Sequence, residues 1–157
     1  MGQLLDQSVF AENLVGEWRI GASNIEDWVN GTRRDALFHF TKEQDNPLVL
    51  SEVQVFTTRE GKARRIELTS RLVDREFISK GRRIVGTMSR WFIGAVDSDH
   101  GIVVVRITHA RGAQDGLIVL LRQNAPLSEL RSTIANNSDG FGVGPEDFAS
   151  LSWVPVD

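Results

Sequence analysis

Along "DALFHFTKE" the apolar residues fall on every second position: Ala36, Phe38 and Phe40 share one face of an extended segment, with Leu37 and His39 on the other. Side chains alternate across a strand, so this spacing predicts a strand with one buried face. "KARRIELTSRLVD" repeats the pattern, setting Ile66, Leu68 and Leu72 against Arg65, Glu67 and Arg71. That is the division expected of an antiparallel strand. Further strands are predicted at residues 15–21, in "LVLSEVQVFTTRE" after Pro47, at 74–79, in "RIVGTMSRWFIGAVD", in "GIVVVRITHA" and in "DGLIVLLRQ". Turn signals separate them: Asn30-Gly31, Gly61, Gly81, "DSDHG" and "RGAQDG". Leu4, Leu5, Val9, Phe10 and Leu14 make the apolar stripe of a short N-terminal helix. "APLSELRSTIANN" reads as a late helix, and a loop, "NSDGFGVGPED", leads to a short last strand in "SLSWVPVD". Eight consecutive strands with short turns predict an all-β, closed, antiparallel up-and-down barrel, because an open sheet would leave edges to protect.

Composition narrows the function. The chain has 157 residues, 41% hydrophobic and 25% charged, which suits one soluble domain spanning residues 1–157. Its net charge of -3 gives no basic surplus, so no nucleic-acid partner is expected. Arg33-Arg34, Arg64-Arg65 and Arg82-Arg83 are local pairs with carboxylates nearby. Cysteine is absent, which excludes disulfides, thiolate metal sites and a cysteine nucleophile, and tyrosine is absent too. No apolar run approaches the roughly 20 residues of a membrane span. The N-terminus lacks the pattern of a secretory signal, so the cytoplasm is the expected compartment.

Three short stretches then stand in order. Gly16-Glu17-Trp18 opens the first strand, Asp97-Ser98-Asp99-His100 joins the sixth to the seventh, and Arg122 ends the eighth, ahead of Pro126 and Trp153-Val154-Pro155. This set resembles the lipocalin family, most closely the bacterial outer-membrane-lipoprotein-type branch. The resemblance matches Gly16 and Trp18 to a Gly-x-Trp motif, Asp99 to the aspartate of a Thr-Asp-Tyr-like turn (with His100 in place of the tyrosine), and Arg122 to the closing arginine. It runs over nearly the whole chain, and its specific part is the second half. The usual tyrosines beside the first tryptophan and the lipoprotein cysteine are missing. The resemblance implies a barrel closed at one end by Gly16, Trp18, Asp99 and Arg122. In an eight-stranded barrel the last strand returns to the first, so Arg122 can lie over the Trp18 indole as a cation–π pair.

Such an interior holds packed side chains or one small ligand. The expected lining is Phe38, Phe40, Val53, Val55, Ile66, Leu68, Trp91, Ile93, Val105 and Ile107, with His109 at the end of the same face. A slip of one residue in register would reverse a strand's set. Arg106 interrupts an apolar strand. Turned inward, it would meet a carboxylate-bearing ligand; turned outward, it would pair with an acid such as Glu52 or Glu67. His39, His100 and His109 lack metal-ligand spacing, and no metal or cofactor is expected. The expected function is non-covalent carriage of a small hydrophobic molecule. The alternatives are a calycin-type lyase or isomerase acting on a bulky apolar substrate, and a filled barrel acting as an interaction module or homodimer. No Gly-x-Ser-x-Gly or comparable signature supports catalysis.

Overall fold

The computed structural model describes residues 6–81, 89–108 and 115–154. Helix α1 (Gln7–Leu14) is followed by β1 (Gly16–Ser23), the short helix α2 (Glu26–Val29), β2 (Arg33–Asp45), β3 (Leu48–Thr58), β4 (Ala63–Val73) and β5 (Glu76–Gly81). Then come β6 (Ser89–Asp97), β7 (Ile102–Thr108), β8 (Gly116–Arg122), a 3-10 turn (Leu127–Glu129), α3 (Leu130–Asn136), α4 (Pro145–Ser150) and β9 (Ser152–Trp153). Asp6 starts α1 by accepting hydrogen bonds from the backbone N–H groups of Ser8 and Val9.

Strands β2 to β8 pair in sequence, each antiparallel to the next. β1 closes the cylinder, with Trp18 opposite Arg122 on β8 and opposite Phe38 on β2. A bulge between Ile20 and Ala22 bends β1 away from β2, and Ala22 and Ser23 then pair with β9. The result is a closed eight-stranded up-and-down barrel with β9 added outside. Closure gives every barrel strand two neighbours and removes the exposed edge.

Alternation along the strands builds two apolar cores. Inside the barrel lie Trp18, Ile20, Phe38, Phe40, Phe77, Trp91, Ile93, Val103, Ile118 and Leu120 among others. Outside it, Ile102, Val104, Leu117, Val119 and Leu121 face Leu130 and Ile134 of α3, and Phe141, Val143 and Leu151 beyond. Strands β7 and β8 are therefore buried on both faces, which explains their unbroken apolar runs.

Two expectations change. The strand read at 74–79 runs from Glu76 to Gly81. The stretch read as a loop before the last strand contains α4, with Pro145 in its first turn and Glu146 and Asp147 beside it. A proline there costs no hydrogen bond, and acidic groups suit the positive end of a helix.

Candidate functional site

One end of the barrel is a built floor. The Trp18 indole N–H donates to the Leu14 carbonyl at 2.7 Å. Arg122 donates to the Asn13 carbonyl at 2.8 Å and the Val15 carbonyl at 3.0 Å, and its guanidinium carbon lies 4.0 Å from the Trp18 ring centre. Carbonyls at a helix C-terminus lack intrahelical partners. Trp18 and Arg122 therefore cap α1 while plugging the floor. Gly16 and Gly101, both at positive φ, lie against this arginine. A Cβ on Gly101 would sit 2.8 Å from Arg122 Cγ, so a side chain there would displace the guanidinium. Burial lowers the Arg122 pKa from its ordinary value. Asp99, expected in the floor, is exposed in the β6–β7 turn. Asp97 holds that turn, accepting from the His100 backbone N–H at 3.1 Å and lying 2.7 Å from His100 Nδ1.

Toward the other end, a cavity of about 60 Å³ lies among Trp28, Phe38, Phe40, Glu52, Gln54, Leu68, Ser89, Trp91 and residues of β7 and β8. Its walls are aromatic and ordered. The Phe40 and Trp91 ring centres are 6.0 Å apart, and Trp91 stacks on Phe77 at 4.3 Å. The Trp91 indole N–H donates to Ser79 Oγ at 2.7 Å, and Ser79 Oγ lies 2.6 Å from Ser70 Oγ. Satisfying the indole N–H fixes that wall.

Among these rings sits a carboxyl. Glu52 is 5% exposed. Gln54 Nε2 donates to Glu52 Oε2. Burial pushes the carboxyl up to about 7, against the opposing effect of the Gln54 bond.

Trp28 lines the cavity from the end opposite the floor. It stands half-buried on α2, edge-on to Phe38 at 5.1 Å and to Phe56 at 5.9 Å. The Arg33 guanidinium covers the same rings, 4.8 Å from Trp28 and 4.9 Å from Phe56. Arg33, Arg59, Arg64 and Arg65 border an outer concavity of about 510 Å³ that also meets Phe56 and Ile66.

The expected lining residues separate into groups. Phe38, Phe40, Leu68, Trp91, Val105 and Ile107 border the cavity. Ile66 borders the outer concavity, and Ile93 is fully buried in the inner core. Val53 and Val55 do not line the interior. They pair with His39 and Leu37 on β2, while Glu52 and Gln54 pair with the inward Phe40 and Phe38. Register fixed by the aromatic residues and by Leu48 and Leu50 turns the polar members of this stretch inward. Arg106 also points outward, donating to the Gly142 carbonyl at 2.6 Å and to Asp147 at 2.7 Å. Its partner acid is on α4, not Glu52 or Glu67. His109 lies outside the described residues. Trp28, Glu52, Gln54, Ser89, Ile118 and Leu120 were absent from the expected lining. No group of three or more potential metal ligands occurs among the described residues.

A closed barrel with a sealed floor and an aromatic interior defines a calyx, and the fold is lipocalin-like. It is similar to the solved structure of the siderocalin Ex-FABP, described as functioning through dual ligand specificities, with a TM-score of 0.57 and 12% sequence identity over 92% of this chain and 95% of that one. No family model matches the sequence, and no curated protein matches it. No helix among the described residues is long and apolar enough to cross a membrane.

Proposed function

We propose that the protein binds a small, largely apolar molecule inside its barrel, the ligand reaching the cavity where Trp28 now lies. The observation that carries this reading is the aromatic cavity that lies between a sealed floor and the Trp28 indole. Size decides how it must work. A dry cavity of about 150 Å³ holds benzene, whereas the space here is about 60 Å³. A ligand of that class therefore needs the volume occupied by the Trp28 indole. Trp28 is half-buried, and the four-residue helix carrying it has no side-chain cap at its N-terminus. A short uncapped helix has little intrinsic stability, so displacing it costs little. The lipocalin-like fold supports the same reading. The ordered motifs of the second half, from Arg122 and Pro126 to Trp153 and Val154, support kinship with the bacterial lipoprotein-type branch.

The test is calorimetry and tryptophan fluorescence with alkylbenzenes, from benzene to butylbenzene, on the wild-type protein and Trp28→Ala. Binding should be saturable in both and tighter in Trp28→Ala, where the space is already open. Absence of binding to either protein overturns the proposal.

A further inference from the structure

The polar pair inside the barrel carries the argument further. At 52–55 the usual arrangement is reversed: Glu52 and Gln54 face the rings, while Val53 and Val55 face outward. Burying a carboxyl among rings with a single neutral hydrogen-bond partner is costly, and a filled barrel would have no use for it. Local violations of this kind concentrate at functional sites. The pair also has a direction. Gln54 spends an N–H on one carboxylate oxygen. What the pair offers beyond that bond is acceptors: the rest of the carboxylate and the Gln54 amide oxygen. Such acceptors suit a ligand that brings a donor.

Among the described residues, none supplies a cation there. Phe40 and Leu68 are the cross-strand neighbours of Glu52 on β2 and β4. The other lining residues come from α2, β6, β7 and β8: Trp28; Ser89 and Trp91; Val105 and Ile107; Ile118 and Leu120. None of these is titratable, and Glu52 takes part in no ion pair among the described residues. Aromatic faces around a carboxylate suit an organic cation, which they attract through the ring quadrupole. A carboxylate-bearing ligand would instead meet like charge in a dry space.

We propose that the barrel interior is a site for a small organic amine, its ammonium held by the Glu52 carboxylate and the Gln54 amide oxygen and its apolar body lying against Phe38, Phe40 and Trp91. The assignment rests on the reading of the barrel as a ligand site and names the ligand's chemistry. Because burial raises the Glu52 carboxyl to about 7, binding of an ammonium ion at lower pH must release a proton. Affinity therefore rises with pH until the carboxyl is ionised.

The experiment is titration calorimetry on the full chain with 2-phenylethylamine, its uncharged isostere propylbenzene, and 3-phenylpropanoate. The amine should bind most tightly. Glu52→Gln should weaken amine binding by about 10- to 100-fold, as expected for loss of a charged hydrogen-bond partner, and change propylbenzene binding far less. In the wild-type protein, amine affinity should climb between about pH 6 and about pH 8 while propylbenzene affinity stays level. This profile needs no variant, so it decides the matter even if Glu52→Gln fails to fold. Equal, pH-independent affinities for amine and propylbenzene overturn the amine assignment and leave the barrel an apolar site. Preference for 3-phenylpropanoate overturns it as well. Binding of none of the three, to wild type or to Trp28→Ala, overturns both proposals.

Discussion

Glu52 holds its proton more tightly in the folded barrel than in the unfolded chain, where an ordinary value of 4.5 applies. Between 4.5 and about 7 the native state therefore binds more protons than the unfolded state, and stability falls as pH rises through that window. The loss from this group amounts to about 3 kcal/mol and is complete above the folded value. Glu52→Gln should remove that component, leaving the variant more stable than wild type near pH 8; urea unfolding across the pH range measures it. A variant curve parallel to wild type would mean that Glu52 titrates as an exposed carboxyl does. Arg122 has the opposite character, because its charge is used by the backbone. Arg122→Ala strands the Asn13 and Val15 carbonyls and removes the stacked cation, at an expected cost of about 2–4 kcal/mol. Arg122→Lys should recover little, since a point charge cannot span both carbonyls and cover the ring. A double-mutant cycle with Trp18→Leu should return a coupling of about 1 kcal/mol, and zero coupling would make the two contributions independent.

Helix α1 is tied to the barrel at both ends, and the less obvious tie is Gln7. Its side-chain amide copies a strand: Nε2 donates to the Ile93 carbonyl at 2.9 Å, and Oε1 accepts from the Ile93 N–H at 2.7 Å. β5 pairs with β6 at Ser89, Arg90 and Trp91, so Ile93 lies beyond the end of that ladder. Gln7→Ala leaves a buried N–H and C=O without partners and should cost about 2–4 kcal/mol. Hydrogen exchange should find the Ile93 amide among the most accelerated, and unchanged protection there would assign its bond elsewhere. An exposed-looking glutamine in a short helix gives no hint of this role, because its partner is distant in sequence. The strands were legible because alternation is local, as in Ala36, Phe38 and Phe40. The face of β3 was not. "LVLSEVQVF" carries apolar residues at both parities, and the valine pair outvotes Glu52 and Gln54 under any rule that places apolar residues inside. Only the partner strands decide it. Trp28 was hidden by "SNIEDWVNGTRR", where charge and turn residues read as loop. α4 had usable signals in Pro145, Glu146 and Asp147, which the surrounding glycines obscured.

In the whole molecule the sheet separates two jobs. The outer core packs β7, β8 and the C-terminal segment together, and a surface concavity of about 350 Å³ borders it at Ile102, Leu121 and Leu130. The inner core is dense at the floor and gives way to the cavity toward Trp28. β7 and β8 contribute side chains to both cores, so they transmit packing from one core to the other. Ile134 on α3 is 0% exposed and belongs to the outer core. Ile134→Ala should cost about 2–4 kcal/mol by opening a cavity remote from the barrel interior. Leu120 on β8 borders the inner cavity. Leu120→Ala should cost a similar amount, but the space it opens joins the inner cavity. Propylbenzene should accordingly restore stability to Leu120→Ala more than to Ile134→Ala at equal ligand concentration, because a ligand stabilises the folded state according to its affinity. Thermal unfolding of the two variants with and without propylbenzene makes the comparison. Equal restoration would show that the ligand does not use the inner cavity, since only one of the two truncations enlarges it.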